Sequence, residues 1–339
     1  MGRKNALSDQ VVVVTGASSG LGRAVARLAG QRGAKVVVTA RTGEALDACV
    51  REIEAFGSEA LAVPADCTSQ DEVAQVVEQA VDRFGRIDTY VANAIVTVYA
   101  ETYRYEADEL RRIMDVNFFG QVYGYWAVLP HLRESEGTFV SIQSALAYRG
   151  IPLQGGYCAS KAALRNFFES ARVELRKAGW GVDISVVHPA AINTPQFDRD
   201  RQKIGKQPQP VPPIYQPEPF ADAVLHCCEH PIRELPVGWG AQKLMWGQKL
   251  SPRAGDLMLL RMGWKGQHTD EDKPLDSPDN LFRPLPGDPG AHGRFDAQSR
   301  NSTVWTSLRL RRWLVGAAVV GAAAVAGSVE RNRRSGLLS

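Results

Sequence analysis

Short runs of consecutive apolar residues, many of them β-branched, alternate with longer segments of helical periodicity between Gln10 and His188. These runs predict six strands, at residues 11–14, 35–39, 60–63, 89–92, 138–142 and 183–187. Strands that are apolar on both faces are typical of a parallel sheet covered by helices. The segments between them are long enough for crossover helices, at residues 21–32, 43–56, 70–84, 108–132 and 156–177. We therefore predict an α/β fold with a Rossmann-type, doubly wound parallel sheet in a single domain.

The pattern changes after Pro189. Six prolines between residues 208 and 219 exclude a regular helix or a central strand there, because proline lacks the backbone donor, and predict an extended loop. A helix at 220–229, a strand at 235–237 and a helix at 242–262, which Pro252 interrupts or starts, are expected next. The following residues, 264–300, are rich in Pro, Gly, Asp and Arg and predict an irregular arm, and an uncharged apolar run occupies 313–329.

The charge of the chain is unevenly distributed. The 339 residues have a formal net charge of +3, but residues 299–339 contain seven arginines and a single acidic residue, Glu330. The remainder is slightly acidic and has no stripe of Lys and Arg of the kind that binds a nucleic acid. We therefore expect no nucleic-acid partner.

The cysteines are odd in number and have no C-x-x-C spacing: Cys49, Cys67, Cys158, Cys227 and Cys228. This pattern favours a reducing compartment and argues against a zinc site. No apolar segment of signal-peptide length precedes the first strand, and Ala6 stands where a myristoylation signal needs Ser or Thr. We expect a cytoplasmic body without a metal ion.

A glycine-rich turn, T-G-A-S-S-G-L-G at residues 15–22, follows the first predicted strand and opens the first helix. Glycines permit a tight turn and close backbone approach, while the free N–H groups and the helix dipole attract a phosphate. The strand before and the helix after favour a dinucleotide site. The spacing differs from G-x-G-x-x-G, because three residues separate the first two glycines.

This turn resembles the T-G-x-x-x-G-x-G motif of the short-chain dehydrogenase/reductase (SDR) family. Tyr157 and Lys161 match the family's Y-x-x-x-K, and Ser144 stands thirteen residues before the tyrosine, a separation common in the family. Asn117, on a predicted helix, corresponds to its catalytic asparagine. The matches occur in the family's order from Gln10 to about Thr194.

The resemblance implies a catalytic set and a cofactor site. The catalytic residues are Asn117, Ser144, Tyr157 and Lys161. The residues implied to bind the cofactor are Gly16, Ser18, Ser19, Gly20, Leu21, Gly22, Arg41, Asp66, Cys67, Asn93, Tyr157, Lys161, Pro189, Ile192 and Thr194. Asp66 is expected to face the adenine, and residues 189–194 to close over the nicotinamide.

These residues are consistent with a carbonyl reductase. Tyr157 and Lys161 share one helix face, so the ammonium would favour the ionised phenol and lower the phenol pKa from about 10 toward working pH. Tyr157 would protonate the carbonyl oxygen as hydride arrives, and Ser144 would polarise the same oxygen. Lys161 would also bind the ribose hydroxyls, and Asn117 would hold a water that resupplies the proton.

Each residue alone also has a structural interpretation. A tyrosine and a lysine one turn apart are common on amphipathic helices, Ser144 could simply end a strand, and Asn117 could bond to a neighbour. Their joint order and spacing favour the catalytic interpretation. A Ser-His-Asp site has little support, because the chain has no G-x-S-x-G elbow, and we expect His188 to be packed.

Two glycines of the family's motifs are replaced. Its N-A-G is Asn93-Ala94-Ile95 here, and its P-G is Pro189-Ala190. A side chain in place of glycine restricts the backbone near the cofactor. A cofactor-binding pseudoenzyme is the alternative that these replacements leave open.

The end of the second strand bears on cofactor choice. NAD sites usually place Asp or Glu there, whereas an arginine offers a fork of donors to a 2′-phosphate. Arg41 occupies this place, so we expect NADP(H) rather than NAD(H), the alternative being a solvated charge at a strand end.

The apolar run at 313–329 would form about 25 Å of helix, just short of a ~30 Å hydrocarbon core. Arginines flank it on both sides, with Trp305 and Trp313 near one end. We expect a C-terminal membrane anchor, against an apolar helix that packs on the body or on a partner subunit. Small residues such as Gly316 and Gly321 could let two such helices meet.

We therefore predict an SDR-like catalytic domain over 1–264, with 195–220 as substrate loop or lid, an irregular, flexible arm at 265–307 and a basic-flanked tail at 308–339. The predicted activity is NADP(H)-dependent interconversion of a carbonyl and a primary or secondary alcohol. The alternative is a membrane-tethered dinucleotide-binding sensor or scaffold without turnover. A small-molecule carbonyl or alcohol substrate is the expected partner, and homo-oligomers are common in the family. Five residues of the loop region hint at an apolar substrate: Phe197, Ile204, Ile214, Tyr215 and Phe220.

Overall fold

The computed structural model describes residues 4–303 together with Thr306 and Leu310. Its strands are β1 (Val11–Thr15), β2 (Lys35–Ala40), β3 (Ala60–Pro64), β4 (Thr89–Ala92), β5 (Val98–Tyr99), β6 (Thr138–Ile142), β7 (Asp183–Pro189), β8 (Arg201–Gln202), β9 (Lys206–Pro208), β10 (Ile214–Tyr215), β11 (Glu234–Val237), β12 (His268–Asp272) and β13 (Ser299–Arg300). Its α-helices are α1 (Gly20–Gln31), α2 (Gly43–Glu54), α3 (Gln70–Phe84), α4 (Ala107–Met114), α5 (Gly120–Ser135), α6 (Gly155–Lys177), α7 (Gln196–Arg199), α8 (Glu218–Glu229), α9 (Trp239–Leu250) and α10 (Pro252–Met262).

The main sheet has seven strands in the order β11-β7-β6-β4-β1-β2-β3, and every neighbouring pair is parallel. The chain runs outward from β1 to β3 and then returns to β4, which lies on the other side of β1. The carboxyl ends of β1 and β4 therefore flank the point where the strand order reverses, and ligands of open α/β sheets bind at such a point. The predicted doubly wound Rossmann-type fold is confirmed.

Both faces of the sheet are buried, as the uninterrupted apolar strands predict. Val12 and Val14 of β1 pack on one face with α1, α2 and α8. Val13 packs on the other face with α3, α5 and α6. All three valines are fully buried. A rigid two-faced core thus fixes the carboxyl edge of the sheet, where the predicted site residues lie.

Two predicted helices are each interrupted in the structure. The segment predicted at 108–132 forms α4, a π-helical turn (Asp115–Phe119) and α5. The segment predicted at 242–262 forms α9 and α10, because Ser251 leaves helical geometry and caps α10 while Pro252 starts it. The proline-rich stretch contributes the short strand β10 and the start of α8 but no strand of the main sheet.

The chain after α10 lies against the body of the protein. β12 pairs antiparallel with β9, and β13 pairs parallel with β10. Between them the backbone is irregular, as predicted, yet Leu281 and Phe295 are buried. The domain boundaries at 264 and 307 stay a prediction.

In the part of the chain that the structure describes, no helix is both long and apolar enough to cross a membrane. The predicted membrane-spanning segment, 313–329, lies outside the described residues.

Candidate active site

A cleft of about 840 Å³ runs along the carboxyl edge of the sheet. Its walls come from the glycine-rich turn, the ends of β2 and β6, residues 189–194, the helices α9 and α10, and the segment after β12. Every residue predicted for catalysis or cofactor binding lines this cleft except Gly22 and Asn117. A volume of this size is typical of small-molecule and cofactor sites.

The glycine-rich turn has a backbone that requires glycine. Gly16 and Gly20 have φ values of +65° and +55°, in the left-handed region. A Cβ on Gly22 would lie 2.3 Å from the carbonyl oxygen of Gly16. Gly22 is therefore needed for close packing of α1 on the turn. It does not line the cleft, and its predicted part in cofactor binding stays a prediction.

Asn93 fastens this turn to the end of β4. Its backbone N–H donates to Thr15 Oγ1 at 2.9 Å, and its Nδ2 donates to the carbonyl oxygen of Thr15 at 3.1 Å. Neither Ile95 nor Ala190, the replacements of the motif glycines, has a positive φ. The backbone therefore accommodates both side chains without strain.

Three predicted catalytic residues meet on the opposite side of the cleft. Ser144 lies two residues after the end of β6 and caps a short turn by accepting from the N–H of Leu146 at 3.1 Å. The phenol of Tyr157, in the first turn of α6, interacts with the side chain of Ser144, which favours the ionised phenol. Lys161, one turn later, has its Nζ 5.6 Å from the centre of the Tyr157 ring. The predicted Ser, Tyr and Lys thus lie together at the cleft.

The electrostatics of this group differ from the sequence-based expectation. Burial raises the pKa of Tyr157 above its ordinary value, although the hydrogen bond with Ser144 lowers it. Burial also lowers the pKa of Lys161 to about 7, and its Nζ donates to the carbonyl oxygen of Ile142 at 2.9 Å. The predicted lowering of the phenol pKa by Lys161 is wrong for the protein alone, because desolvation weakens the ammonium and dominates at the phenol.

Asn117 lies in the π-helical turn between α4 and α5 and is fully buried. Its Oδ1 accepts from the N–H of Val96 at 2.8 Å, and its Nδ2 donates to the Val96 carbonyl at 3.0 Å and to Ser160 Oγ at 3.1 Å. The side chain therefore fixes the loop after β4 against α6. π-helical turns often mark functional positions, and this one turns Asn117 toward its partners.

His188 on β7 is fully buried and in edge contact with Tyr148, which confirms that it is packed. Its Nδ1 lies 2.9 Å from the carbonyl oxygen of Ser144. Burial lowers the pKa of the imidazole to about 4, so the ring is neutral at ordinary pH and Nδ1 carries the proton. Sequence analysis missed this support for the Ser144 backbone.

The ends of β2 and β3 bring Arg41 and Asp66 to the other half of the cleft. Asp66 accepts from Arg112 at 2.8 Å and from the N–H of Thr68 at 3.0 Å. Burial opposes its ionisation, but these hydrogen bonds hold the pKa of Asp66 below its ordinary value. Arg41 donates to the carbonyl oxygens of Asn280 and Phe282, at 2.7 and 3.4 Å. Arg112 and these C-terminal carbonyls were not predicted as neighbours of the site.

Part of the cleft wall is apolar. Its apolar side chains come from the proline-rich loop, α9 and α10: Val211, Leu244, Met258, Leu259 and Met262. Gln154 and Gln267 add a polar contact, with Nε2 of Gln154 donating to Oε1 of Gln267 at 2.7 Å. Of the five residues that hinted at an apolar substrate, Phe197 lines the cleft, whereas Ile214, Tyr215 and Phe220 are buried in the core and Ile204 packs beside them.

The sequence and fold match known proteins. A family profile described as short chain dehydrogenase matches residues 10–205. The chain is 36% identical over 267 residues to YxnA of Bacillus subtilis, described as an uncharacterized oxidoreductase, in an alignment that covers 78% of this chain and 75% of that protein.

Two solved structures extend the similarity to three dimensions. A short chain dehydrogenase of Burkholderia cenocepacia in complex with NADP has a TM-score of 0.64 and 28% identity, over 76% of this chain and 99% of the other. An alcohol dehydrogenase of the archaeon Thermococcus sibiricus, complexed with 5-hydroxy-NADP, has a TM-score of 0.60 and 25% identity, over 67% of this chain and 95% of the other.

Proposed function

The chain belongs to the short chain dehydrogenase family, and we propose that it is an NADP(H)-dependent oxidoreductase that interconverts a carbonyl group and a primary or secondary alcohol. The observation that carries this proposal is the meeting of Ser144, Tyr157 and Lys161 across one cleft from a glycine-rich turn. The similar structures named above hold NADP and an NADP derivative, which supports the same cofactor here.

The cleft fits a dinucleotide. The turn approaches residues 189–194 so closely that a Cβ on Gly20 would lie 3.1 Å from Thr194, which leaves the backbone itself as the lining of the cleft. Gly16, Ser18, Ser19, Gly20 and Thr194 would hold the pyrophosphate, and Arg41 the 2′-phosphate. When bound, NADP(H) supplies or accepts the hydride, and the protein supplies placement and proton transfer.

In the reducing direction, Tyr157 donates its proton to the carbonyl oxygen, since its raised pKa keeps the phenol protonated at neutral pH. The Ser144 hydroxyl, which interacts with that phenol, orients the same oxygen. Lys161 lies beside the phenol and would bind the ribose hydroxyls. Asn117 acts through structure, because its side-chain bonds fix Val96 at the cleft wall and Ser160 next to Lys161.

The apolar part of the cleft wall supports a substrate with a hydrophobic body. Val211, Leu259 and Met262 would cover such a body, and the paired Gln154 and Gln267 would contact a polar substituent. A few polar groups in a mainly apolar pocket are typical of sites that select small molecules.

The Tyr157→Phe variant tests the proposal. We expect NADPH oxidation with an aldehyde or ketone to fall by about 10²- to 10⁴-fold, because the general acid is lost. NADPH binding, followed by fluorescence titration, should stay within about two-fold of the original affinity. If the unaltered protein oxidises NADPH with no member of a panel of aldehydes, ketones and lipid-derived carbonyls, the reductase assignment fails.

A further inference from the structure

The segment 280–290, which we call the strap, crosses the cofactor half of the cleft. At one end, the carbonyl oxygens of Asn280 and Phe282 accept from Arg41. At the other end, the carbonyl oxygen of Gly290 accepts from the N–H of Gly20 at 3.0 Å. The strap therefore extends from Arg41, the residue expected to bind the 2′-phosphate, to the glycine-rich turn. Four of its residues line the cleft: Pro284, Leu285, Gly287 and Pro289.

Further hydrogen bonds hold the strap along its length. Arg112 donates to the carbonyl oxygen of Leu281 at 3.0 Å, and Arg199 donates to that of Leu285 at 2.7 Å. The N–H of Asn280 donates in return to the Arg199 carbonyl at 2.9 Å. Asp288 pairs with Arg23 of α1, which also binds Glu52. These anchors come from α1, α4, α7 and the end of β2, so the strap joins separate walls of the cleft.

The composition of the strap favours a fixed shape. It contains Pro284, Pro286 and Pro289, each of which restricts φ. The strap therefore loses less conformational entropy when it becomes ordered. Gly287 and Gly290 have positive φ, which allows the two bends that return the chain to Gly20.

Two of the anchoring arginines form no ion pair with any residue that the structure describes. Within residues 4–303, neither Arg41 nor Arg199 forms an ion pair, and their hydrogen bonds go to neutral carbonyl oxygens of the strap. Both line the cleft. An arginine has five N–H donors, so each keeps donors for another acceptor. Burial lowers the pKa of both guanidiniums, and at Arg41 the nearby positive charges of Arg112 and Arg199 lower it further while Asp66 opposes the change.

We propose that the strap is a wall of the cofactor site and that Arg199, which the strap holds on the same side of the cleft as Arg41, binds the 2′-phosphate of NADP(H) together with Arg41. A phosphate monoester dianion supplies the missing counter-charge and accepts forked hydrogen bonds from two guanidiniums. This inference rests on the proposed function. It assigns Arg199 of α7, which is far in sequence from Arg41 at the end of β2, a part in the choice between NADP(H) and NAD(H).

The first test is the Arg199→Gln variant of the full chain, titrated with NADPH and with NADH. We expect the NADPH dissociation constant to rise about ten-fold or more, and the NADH constant to change by less than about two-fold, because NADH lacks the 2′-phosphate. Unchanged NADPH affinity, or equal losses for both cofactors, overturns the assignment. If Arg199→Gln binds neither cofactor, Arg199→Lys decides: a selective loss of NADPH affinity supports the assignment, and equal affinities overturn it.

The second test loosens the strap with Asp288→Asn, since Arg23 keeps Glu52 as its partner. We expect NADPH and NADH both to dissociate about five-fold faster in stopped-flow measurements, because the wall at the turn is less firmly held. Asp272→Asn is the matched control. Asp272 also belongs to the chain after α10 and forms an ion pair, with Lys206 of β9, but it does not line the cleft. Identical rates in the unaltered protein and both variants contradict the role of the strap.

The two proposals fail in different ways. Absence of carbonyl turnover in the unaltered protein contradicts the proposed function whatever the strap does. Normal turnover, with cofactor binding unaffected by these variants, contradicts only the strap.

Discussion

At the scale of single residues, Arg41 and Asp66 end neighbouring strands of the sheet and differ in how their charges are balanced. Asp66 is held by Arg112 and Thr68, whereas the hydrogen bonds that Arg41 forms with described residues go to backbone carbonyl oxygens. The negative charge of Asp66 is largely balanced by Arg112, whereas the positive charge of Arg41 faces neutral carbonyl oxygens. We therefore expect a cofactor phosphate near these strand ends to be attracted to Arg41. The second-strand position that we propose selects the cofactor could be identified from the sequence, but the arginine that neutralises Asp66 could not.

Arg41→Asp should weaken NADPH binding by about 10²-fold, because it replaces attraction to the 2′-phosphate with repulsion. NADH binding should fall far less, since its ribose hydroxyl can donate to the new carboxylate. Parallel fluorescence titrations with the two cofactors measure this difference. Equal losses in both titrations would show that Arg41 does not distinguish them.

His188 predicts how stability responds to acid. The imidazole has an ordinary pKa of 6.5, which burial lowers to about 4 in the folded protein. Between these values the unfolded chain binds a proton that the folded chain does not, so the free energy of unfolding falls as pH falls through this window. His188→Asn keeps a donor for the Ser144 carbonyl but does not titrate in this window. We expect the loss of unfolding free energy on acidification to be smaller in this variant by on the order of 2 kcal/mol. Urea unfolding of both proteins at about pH 7.5 and about pH 4.5 measures it, and parallel curves would contradict the assignment.

At the scale of elements, the first turn of α1 depends on a close approach between two stretches of backbone. A Cβ on Gly22 would meet the Gly16 carbonyl oxygen at 2.3 Å, and backbone cannot yield as a flexible side chain can. The glycine pattern in the sequence therefore records two separate requirements: the left-handed conformation at Gly16 and Gly20, and close packing at Gly22.

Gly22→Ala should lower the free energy of unfolding by about 1–3 kcal/mol and weaken NADPH binding, since α1 must move away from the turn. Gly247→Ala is the matched control, because Gly247 lies in α9 and a Cβ there would meet nothing within 4 Å. The control should be neutral or more stable by up to about 1 kcal/mol, through the higher helix propensity of alanine. Thermal or urea unfolding compares the two, and similar destabilisation by both would refute the steric explanation.

Some strands and helices could be predicted from the sequence and others could not. The six strands between Gln10 and His188 were predictable, because a strand buried on both faces requires consecutive apolar residues. The π-helical turn at Asn117 was not, because the extra residue in that turn has no signature in the apolar pattern and depends on hydrogen bonds to Val96 and Ser160. The break between α9 and α10 was half visible, since Pro252 allowed either an interruption or a start.

At the scale of the whole molecule, the cleft combines parts that are far apart in sequence. The family motifs predicted Ser144, Tyr157 and Lys161, which the structure brings together. Other parts of the cleft wall come from α10 and the strap, where the sequence is irregular or only weakly patterned. No local spacing relates these segments to the motifs, so their positions follow from tertiary packing alone.

The α10 wall gives a prediction about substrates. Leu259 lines the cleft, whereas its neighbour Leu260 is 70% exposed and does not. We expect Leu259→Gln to raise KM for a bulky apolar carbonyl about ten-fold and to leave KM for a short-chain aldehyde nearly unchanged. Leu260→Gln should affect neither. Steady-state NADPH oxidation with the two substrates distinguishes the variants, and equal KM values in both would remove α10 from the substrate site.

The hydrogen bond between Gly20 and Gly290 also has a consequence for biosynthesis. A ribosome makes the glycine-rich turn and the strands of the sheet before it reaches residue 290, so the nascent chain holds the sheet and the catalytic residues before this contact can form. The entropic cost of closing so long a loop is only slightly larger than that of closing a moderately long loop, but the length delays formation of the contact. Products of premature termination before residue 280 would therefore carry the catalytic side chains without the closing contact at the turn. Retention on an immobilised NADP matrix would then separate finished chains from unfinished ones.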